Sequence, residues 1–262
     1  MLTSLQNPLV KQIRKLHQAK QRQRQQLFLL EGTHLLEEAC KAGYSLMSVC
    51  CTPAWRDAHI GLWERVCLQA ERFELVTPEI LQAMATTVHP DGAIATVERR
   101  SATELLLPVD VGIALETIQD PGNLGTIIRT AAAAGTGGLW LSADSVDLDH
   151  PKVLRASAGQ WFQLPMVTKP DLRTLVAHCR TIGMQVVAAV PTAALCYWQI
   201  DMKSPTLIVL GNEGGGLSRE LAALADWQAK IPVQPEVESL NVAIAAALML
   251  YEARRQREVD TP

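Results

Sequence analysis

The sequence predicts an α/β protein that is divided into two domains. Short apolar segments alternate with segments of helical periodicity along most of the 262 residues. In the second half the apolar segments are continuous, which is typical of a parallel sheet covered by helices on both faces. This rhythm is interrupted at 99–108, "RRSATELLLP". We therefore predict a smaller N-terminal domain at 1–100, a linker at 101–108 and a second domain at 109–262.

The first half shows helices and strands in alternation. Pro8 suits the first turn of a helix. The apolar residues that follow it, Leu9, Ile13 and Leu16, fall on one helical face. Gly43 is placed to stop a later helix. The predicted helices are 8–26, 33–43, 55–71 and 78–85, and the predicted strands are 27–32, 44–51, 73–77 and 92–99.

The second half repeats the alternation with longer apolar strands. Gly135 follows an alanine-rich helix and marks its end. The final helix is apolar from Val242 to Tyr251, as a buried helix would be. The predicted strands are 109–116, 138–143, 185–190, 206–211 and 229–233, and the predicted helices are 124–135, 171–183, 218–225 and 239–256.

The charge distribution says more than the total charge. Hydrophobic residues make up 48% and charged residues 19%, as in a globular protein with a substantial core, and the formal net charge is −3. Residues 1–30 nevertheless carry basic side chains and no Asp or Glu. Such a cluster can attract phosphates, although a solvated helix face is the alternative. The candidate RNA contacts are Lys11, Arg14, Lys15, Arg22 and Arg24.

Cysteine usage and hydropathy predict a protein of the cytoplasm. The 6 cysteines form no C-x-x-C pair and lack histidines at metal-ligand spacing, so we expect buried thiols and no metal site. The N-terminus is polar, and the longest apolar run, 242–251, is far shorter than the roughly 20 residues that span a bilayer. We expect neither a secretory signal nor a membrane partner.

Three strand-to-helix junctions in the second half are rich in Gly, Asn and acidic residues. They are "ETIQDPGNLGTIIRT" (116–130), "LGNEGGGLSRE" (210–220) and "IPVQPEVESLN" (231–241). In an open parallel sheet, ligands bind beyond the carboxyl ends of the strands. The three junctions are therefore predicted to converge on one pocket.

Each junction also has an ordinary structural interpretation. The glycines of "GNEGGGLS" could form only a turn, and Leu217 occupies the position where a phosphate-binding loop needs lysine. Glu213 in that loop favours a cationic or hydroxyl-bearing ligand over a phosphate. Asn123 could be only a helix N-cap. Arg129 lies in an otherwise uncharged helix that we expect to be packed, where a structural salt bridge and a site role are equally open.

Taken together, the junctions resemble the three motifs of the SpoU (TrmH) family of RNA 2′-O-methyltransferases, in the knotted SPOUT superfamily. "NLGTIIRTAAAAG" is similar to the first motif, with Asn123 and Arg129. "LGNEGGGLS" is similar to the second, with Glu213. "IPVQPEVESLNVAIA" is similar to the third, with Ser239 and Asn241. Three motifs in the right order are far more specific than one glycine loop.

The likeness extends more weakly to the N-terminal half. "NPLVKQIRKL", "FLLEG" and "HPDGAIATV" resemble the small substrate-binding domain of the family, a ribosomal-protein-like α/β unit. The departures are Pro235, where the family usually has Gly, Ala243, where it has Ser, and Asp91, where it often has Gln. The first two could reshape the loop beside the ligand, and Asp91 could change RNA preference.

The resemblance implies a fold and a set of site residues. The second domain would contain a deep trefoil knot, against the general rule that chains are unknotted. It would bind S-adenosylmethionine in a bent conformation within the knot and pair into a homodimer. The implied cofactor-binding residues are Leu210, Gly211, Asn212, Gly215, Ile231, Val233 and Leu240, and the implied catalytic residues are Arg129, Asn123, Glu213, Ser239 and Asn241.

The function that the resemblance implies is methyl transfer from S-adenosylmethionine to a ribose 2′-hydroxyl of RNA. Ribosomal RNA is the first candidate substrate and transfer RNA the second, because the N-terminal half resembles that of family members that act on ribosomal RNA. Arg129 stays protonated, so we expect it to stabilise a developing alkoxide or hold a phosphate rather than act as a base. Ser239 and Asn241 are expected to cap the last helix and shape the site. The alternative from another class is a non-catalytic RNA-binding adaptor on the same fold.

Overall fold

The chain forms two compact units in the computed structural model, which describes residues 1–99 and 105–258. One unit comprises Met1–Ser101 with Asp147–Phe162, and the other comprises Ala102–Val146 with Gln163–Pro262. Part of the predicted linker, residues 101–104, lies outside the described residues. The predicted second domain at 109–262 differs from the compact unit in residues 147–162, which group with the first unit.

The described residues contain helices and strands in the predicted alternation. The helices are α1 Pro8–Lys15, α2 Ala19–Gln25, α3 Thr33–Lys41, α4 Pro53–Ala58, α5 Ile60–Gln69, α6 Pro78–Met84, α7 Pro121–Ala134, α8 Pro151–Ala156, α9 Leu172–Thr181, α10 Arg219–Leu224 and α11 Val242–Glu258. The strands are β1 Leu27–Glu31, β2 Leu46–Cys51, β3 Phe73–Leu75, β4 Ala93–Glu98, β5 Val111–Leu115, β6 Gly138–Ser142, β7 Met166–Lys169, β8 Gln185–Ala189, β9 Leu195–Cys196, β10 Thr206–Leu210 and β11 Trp227–Lys230.

The first unit is built on a mixed sheet with the strand order β1-β4-β2-β3. Strand β4 runs antiparallel to β1 and β2, and β3 pairs parallel to β2 at the edge. Apolar clusters lie on both faces of the sheet, because successive side chains of a strand point to opposite sides. This arrangement confirms an α/β unit in the N-terminal half.

The two long helices predicted for this unit are wrong, since each is a pair of shorter helices. The apolar stripe of α1 ends at Leu16, and the polar sequence after it offers no face to bury. The chain turns there and re-enters a helix after Gln18, which is extended. The second break falls at His59, whose φ of −126° lies outside the helical range.

Arg22 on α2 is buried with only 1% of its surface exposed. Its guanidinium donates to Asp147 Oδ2 at 2.7 Å and to Asp149 Oδ1 at 3.2 Å. It also donates to the main-chain carbonyls of Leu16 and His17, both at 3.2 Å. The prediction that Arg22 contacts RNA is therefore wrong, because its N–H donors point into the protein and are hydrogen-bonded to these four acceptors.

Residues 147–162 complete the core of the first unit. Helix α8 contributes the buried Leu154, and Trp161 lies 5.2 Å from Phe28 between ring centroids. Phe162 meets Tyr44 edge-on at 5.1 Å. Such aromatic contacts add to the burial of apolar area, which explains why this segment belongs with residues that are distant in sequence.

The second unit contains a parallel sheet with the strand order β7-β6-β5-β10-β8-β11-β9. The central strands β5 and β10 are buried along their full length and pair in parallel register. Helices α9 and α10 cover one face, while α11 packs against α7 and against β10. The prediction of a parallel sheet with helices on both faces is confirmed.

The cysteines form no disulfides and most of them are buried. Burial raises the pKa of the Cys50 and Cys51 thiols to about 12 and that of Cys179 to about 11. These thiols stay protonated and unreactive at neutral pH. Within residues 1–99 and 105–258, no group of three or more potential ligands is arranged to hold a metal ion. None of the helices in the described part of the chain combines the length and apolar character needed to cross a membrane.

Candidate active site

The three junctions follow strands that end at the same edge of the parallel sheet. Strands β5 and β10 are neighbours, so the junctions at 116–123 and 211–218 start side by side. The third junction follows β11, which is separated from β10 by β8. Side-chain hydrogen bonds nevertheless draw all three together.

Asn123 is the residue at which the three junctions meet. Its Nδ2 donates to Glu213 Oε1 at 3.1 Å, and its Oδ1 accepts from Asn241 Nδ2 at 2.9 Å. It is not the N-cap of α7, because that position belongs to Asp120, whose carboxylate accepts the Asn123 main-chain N–H at 2.9 Å. The capping interpretation of Asn123 is therefore wrong, and its side chain is committed to the junctions.

The direction of these hydrogen bonds is fixed by helix α11. The Oδ1 atom of Asn241 accepts from the main-chain N–H groups of Ala243 at 2.9 Å and Ile244 at 3.4 Å. The Asn241 amide must then present its NH₂ group to Asn123, and Asn123 must present its own NH₂ group to Glu213. We call this set of bonds the amide relay: α11 orients Asn241, Asn241 orients Asn123, and Asn123 orients Glu213.

Ser239 does not take part in the amide relay. Helix α11 begins at Val242, later than the predicted start at 239, and the Asn241 side chain accepts main-chain N–H groups of its first turn. Ser239 is exposed in the preceding loop. The expectation that Ser239 caps the helix is wrong, and its role in the site stays a prediction.

The glycine loop at 211–217 is shaped by Asn212. The Asn212 Oδ1 atom accepts from Gly214 N at 2.8 Å and Gly215 N at 3.0 Å, and its main chain pairs with Gly216. A Cβ atom on Gly211 would lie 2.2 Å from the main chain of Gly216 and Leu217. Glycine is required at 211 because the loop folds back on itself there, and not only because a ligand approaches.

Gly211→Ala is expected to raise the Kd for S-adenosylmethionine, the cofactor that the resemblance implies, by about tenfold. Forcing a methyl group against main-chain atoms costs about 1–3 kcal/mol or more, and 1.4 kcal/mol is a factor of about ten in affinity. Isothermal titration calorimetry measures the change. The matched control is Gly61→Ala, where the added Cβ meets nothing within 4 Å. Equal affinities for the two variants would contradict the steric argument.

Arg129 is exposed on α7 and makes no hydrogen bond or ion pair within the described residues. Its neighbours Leu124, Ile127 and Ile128 form the buried face of the helix, whereas Thr126 shares its exposed face. Of the two alternatives left open for Arg129, the structural salt bridge is not found within the described residues, and the site role stays a prediction. The guanidinium has all its donors available, and a cation held in this state suits the recognition of an anionic oxygen.

The predicted cofactor-binding residues lie at the ends of β10 and β11. Leu210 is buried as the last residue of β10, and Ile231 and Leu240 are half-buried. Val233 is exposed, since β11 ends at Lys230 and the predicted strand at 229–233 gives way to a loop. The space around Gly216 is open, because a Cβ built there meets nothing within 4 Å. A cofactor that binds through main-chain groups fits these residues.

Comparison with known proteins decides the family. The family model described as the SpoU rRNA methylase family matches residues 110–251, which span all three junctions. The chain belongs to the SpoU rRNA methylase family. A second model, described as an MRM3-like substrate-binding domain, matches residues 7–95. The resemblance seen in both halves of the sequence is confirmed.

Individual relatives and structures agree with this membership. An uncharacterized tRNA/rRNA methyltransferase of Synechocystis sp. is 48% identical over 98% of this chain and 94% of its own. The 23S rRNA (guanosine(2553)-2′-O)-methyltransferase RlmP of Bacillus subtilis is 33% identical over 97% of this chain and 98% of its own. A crystal structure of an AdoMet-bound rRNA methyltransferase from Sinorhizobium meliloti has a TM-score of 0.87 at 33% identity, with 97% of each chain covered.

The departures from the SpoU motifs have local explanations. Pro235 lies in an exposed turn, and Ala243 is 3% exposed in the first turn of α11. Asp91 Oδ2 accepts the main-chain N–H of Thr33 at 2.7 Å, at the start of α3. None of the three substitutions interrupts the amide relay.

The basic residues predicted to contact RNA lie mostly on the surface of the first unit. Lys11, Arg14 and Lys15 on α1 and Arg24 on α2 are exposed, in contrast to Arg22. These four side chains remain candidates for phosphate contacts.

Four residues that hold the glycine loop were not predicted as site residues. They are Glu116, Thr117, Ser142 and Asp144. The one available signal was the acid Glu116 directly after an apolar strand.

Proposed function

We propose that this chain transfers a methyl group from S-adenosylmethionine to a ribose 2′-hydroxyl of large-subunit ribosomal RNA. The observation that carries the proposal is the amide relay, which joins the three SpoU motifs at Asn123, while Arg129 has no hydrogen-bond partner among the described residues. Curated relatives named as 23S rRNA 2′-O-methyltransferases, including RlmP, support the choice of RNA.

The chain's own residues have distinct tasks in this reaction. When bound, S-adenosylmethionine supplies an activated methyl group on a sulfonium. Arg129 donates hydrogen bonds to the 2′-oxygen and stabilises the negative charge that develops on it. It remains protonated throughout, so the proton of the 2′-hydroxyl leaves to solvent water and not to the guanidinium. Glu213, held by Asn123, and Ser239 orient the guanidinium and the ribose, and Asn241 fixes the relay to α11.

The surface of the first unit supports RNA, rather than a small molecule, as the substrate. Its exposed basic residues on α1 and α2 form a surface without acidic residues in the same stretch of sequence. Phosphate contacts of this type position an RNA but carry no sequence information. Transfer RNA is the second candidate, and an adaptor without catalysis is the third. The intact relay and Arg129 favour catalysis.

The knot, the homodimer and a cytoplasmic location belong to the same proposal. Pairing of two copies is supported by an exposed apolar stripe on α11. Ile244 is 51% exposed and Tyr251 is 48% exposed, and Ala247 and Leu248 lie between them at helical spacing. A stripe of this kind on a soluble unit is typical of an interaction surface.

The proposal is tested by transfer of labelled methyl groups to unmodified transcripts of 23S rRNA, 16S rRNA and transfer RNA. We expect label in the 23S transcript alone, at a nucleotide whose 3′ phosphodiester bond resists alkaline cleavage. Label confined to transfer RNA would show that the substrate is transfer RNA and not ribosomal RNA. Cofactor binding without transfer to any RNA would favour the adaptor.

A further inference from the structure

The glycine loop is held at both of its ends by two consecutive residues, Glu116 and Thr117. At the start of the loop, Asn212 Nδ2 donates to the carbonyl oxygen of Thr117 at 2.7 Å. At its end, Ser218 donates to the Glu116 carboxylate from its main-chain N–H and from its hydroxyl, both at 2.7 Å. The width of the loop between Asn212 and Ser218 is therefore determined by the conformation of 116–117.

Thr117 has a main-chain conformation that β-branched residues rarely adopt. Its φ is +57°, in the left-handed region. This conformation is maintained by two hydrogen bonds. The Thr117 N–H donates to Ser142 Oγ at 2.7 Å, and the Thr117 hydroxyl donates to Asp144 Oδ2 at 2.7 Å. Strained residues that are fixed by their surroundings are concentrated at functional sites.

Asp144 is the centre of the group that holds Thr117. Ser142 is 8% exposed at the end of β6, and its hydroxyl donates to Asp144 Oδ1 at 2.6 Å. Gln119 Nε2 donates to the Asp144 carbonyl at 2.9 Å. The hydrogen bonds from Ser142 and then Thr117 lower the pKa of the Asp144 carboxyl, which is ionised at neutral pH. Both carboxylate oxygens are thereby engaged in fixing one conformation.

We propose that Asp144, Thr117 and Glu116 are positioning residues for the cofactor loop. We call them the loop clamp. Asp144 holds Thr117 in its left-handed conformation, Thr117 and Glu116 hold Asn212 and Ser218, and these two residues set the shape of the loop that binds S-adenosylmethionine. The clamp acts on cofactor affinity and leaves RNA binding unchanged. This inference rests on the proposed function in one respect, namely that 211–217 forms the cofactor site.

A structural role alone would have a different signature. Removing a hydrogen-bonded carboxylate destabilises a domain wherever it lies. Asp226 provides the comparison, because it accepts from Val186 N at 2.8 Å and from Arg180 Nε at 2.8 Å, near the opposite edge of the same sheet. Asp226→Ala should lower the stability of the unit without changing the glycine loop.

The experiment measures S-adenosylmethionine affinity by calorimetry for wild type, Asp144→Ala, Thr117→Val and the double variant. We expect each single variant to raise the Kd by about tenfold, since a hydrogen bond to a charged group is lost. The Kd of the double variant should not exceed that of the single variant with the higher Kd, because both changes release the same conformation of Thr117. Asp144→Asn, which keeps one oxygen, should lie between wild type and Asp144→Ala.

Two further readouts separate the clamp from general stability. Amide hydrogen exchange should speed up at 211–217 in Asp144→Ala and not in Asp226→Ala, and the Kd for the RNA transcript should stay the same in both. Unchanged cofactor affinity in Asp144→Ala and Thr117→Val would overturn the clamp. If either variant fails to fold, the other still decides. Wild type that binds cofactor but methylates no RNA would overturn the proposed function and leave the clamp standing.

Discussion

Arg129→Ala is expected to lower kcat for methyl transfer by about 10²- to 10³-fold, the loss typical of removing one donor to a developing oxyanion. The Kd for S-adenosylmethionine should stay close to that of wild type, because Arg129 takes no part in the glycine loop or in the amide relay. Single-turnover transfer of labelled methyl groups and calorimetry measure the two quantities separately.

The comparison variants make the Arg129 result specific. Arg129→Lys keeps the charge but not the planar fork of donors, so we expect it to recover only part of the activity. Arg173→Ala removes an exposed arginine of α9 that is paired with Asp171, and it should retain full activity. Retention of more than about a tenth of the wild-type kcat by Arg129→Ala would contradict an oxyanion role.

Arg22→Met is expected to lower the free energy of unfolding of the first unit by about 3–5 kcal/mol, as is usual when one partner of a buried ion pair is removed. Two carbonyls and two carboxylates lose a donor at once. Burial raises the pKa of Asp149, although Arg99 and then Arg22 act in the opposite direction. Arg99 remains 2.6 Å from Asp149, so the effect should lie toward the lower end of this range.

Denaturant unfolding followed by tryptophan fluorescence measures this loss, since Trp55 and Trp161 lie in the first unit. The matched control is Arg24→Met on the same helix, where the side chain is exposed and the change should stay within about 0.5 kcal/mol. Similar stabilities for the two variants would show that the buried network contributes little. A loss of RNA binding in Arg22→Met without a loss of stability would restore its role as an RNA contact.

Hydrophobic periodicity was sufficient to predict the alternation of helices and strands along most of the chain and the parallel sheet of the second unit. It failed where a segment is short or where burial involves polar groups. Strands β7 and β9 and helix α8 are brief and lack a periodic pattern, so they were missed. The burial of Arg22 and the exposure of Arg129 did not follow from the polarity of the segments that contain them. One lies in a polar segment yet is buried by acids more than a hundred residues away, and the other lies in an apolar helix yet faces outward.

The candidate site was predictable as far as its motifs reached. Asn123, Glu213 and Asn241 were identified from resemblance, and the structure joins them by hydrogen bonds. The loop clamp was not identified, because Thr117 and Asp144 have the composition of ordinary turns. Only the left-handed φ of Thr117 and the contacts across two strand ends distinguish them, and neither is visible in one sequence.

The position of residues 147–162 in the first unit has a consequence for how the protein is made. On the ribosome, residues 1–99 emerge early but lack Leu154, Trp161 and Phe162, which complete their core. Domains ordinarily fold from the N-terminus as they are synthesised. Here the first unit can finish folding only after β5, α7 and β6 of the second have emerged. Its final packing therefore waits on translation of the chain's middle, and a fragment ending before Asp147 would leave a hydrophobic surface uncovered.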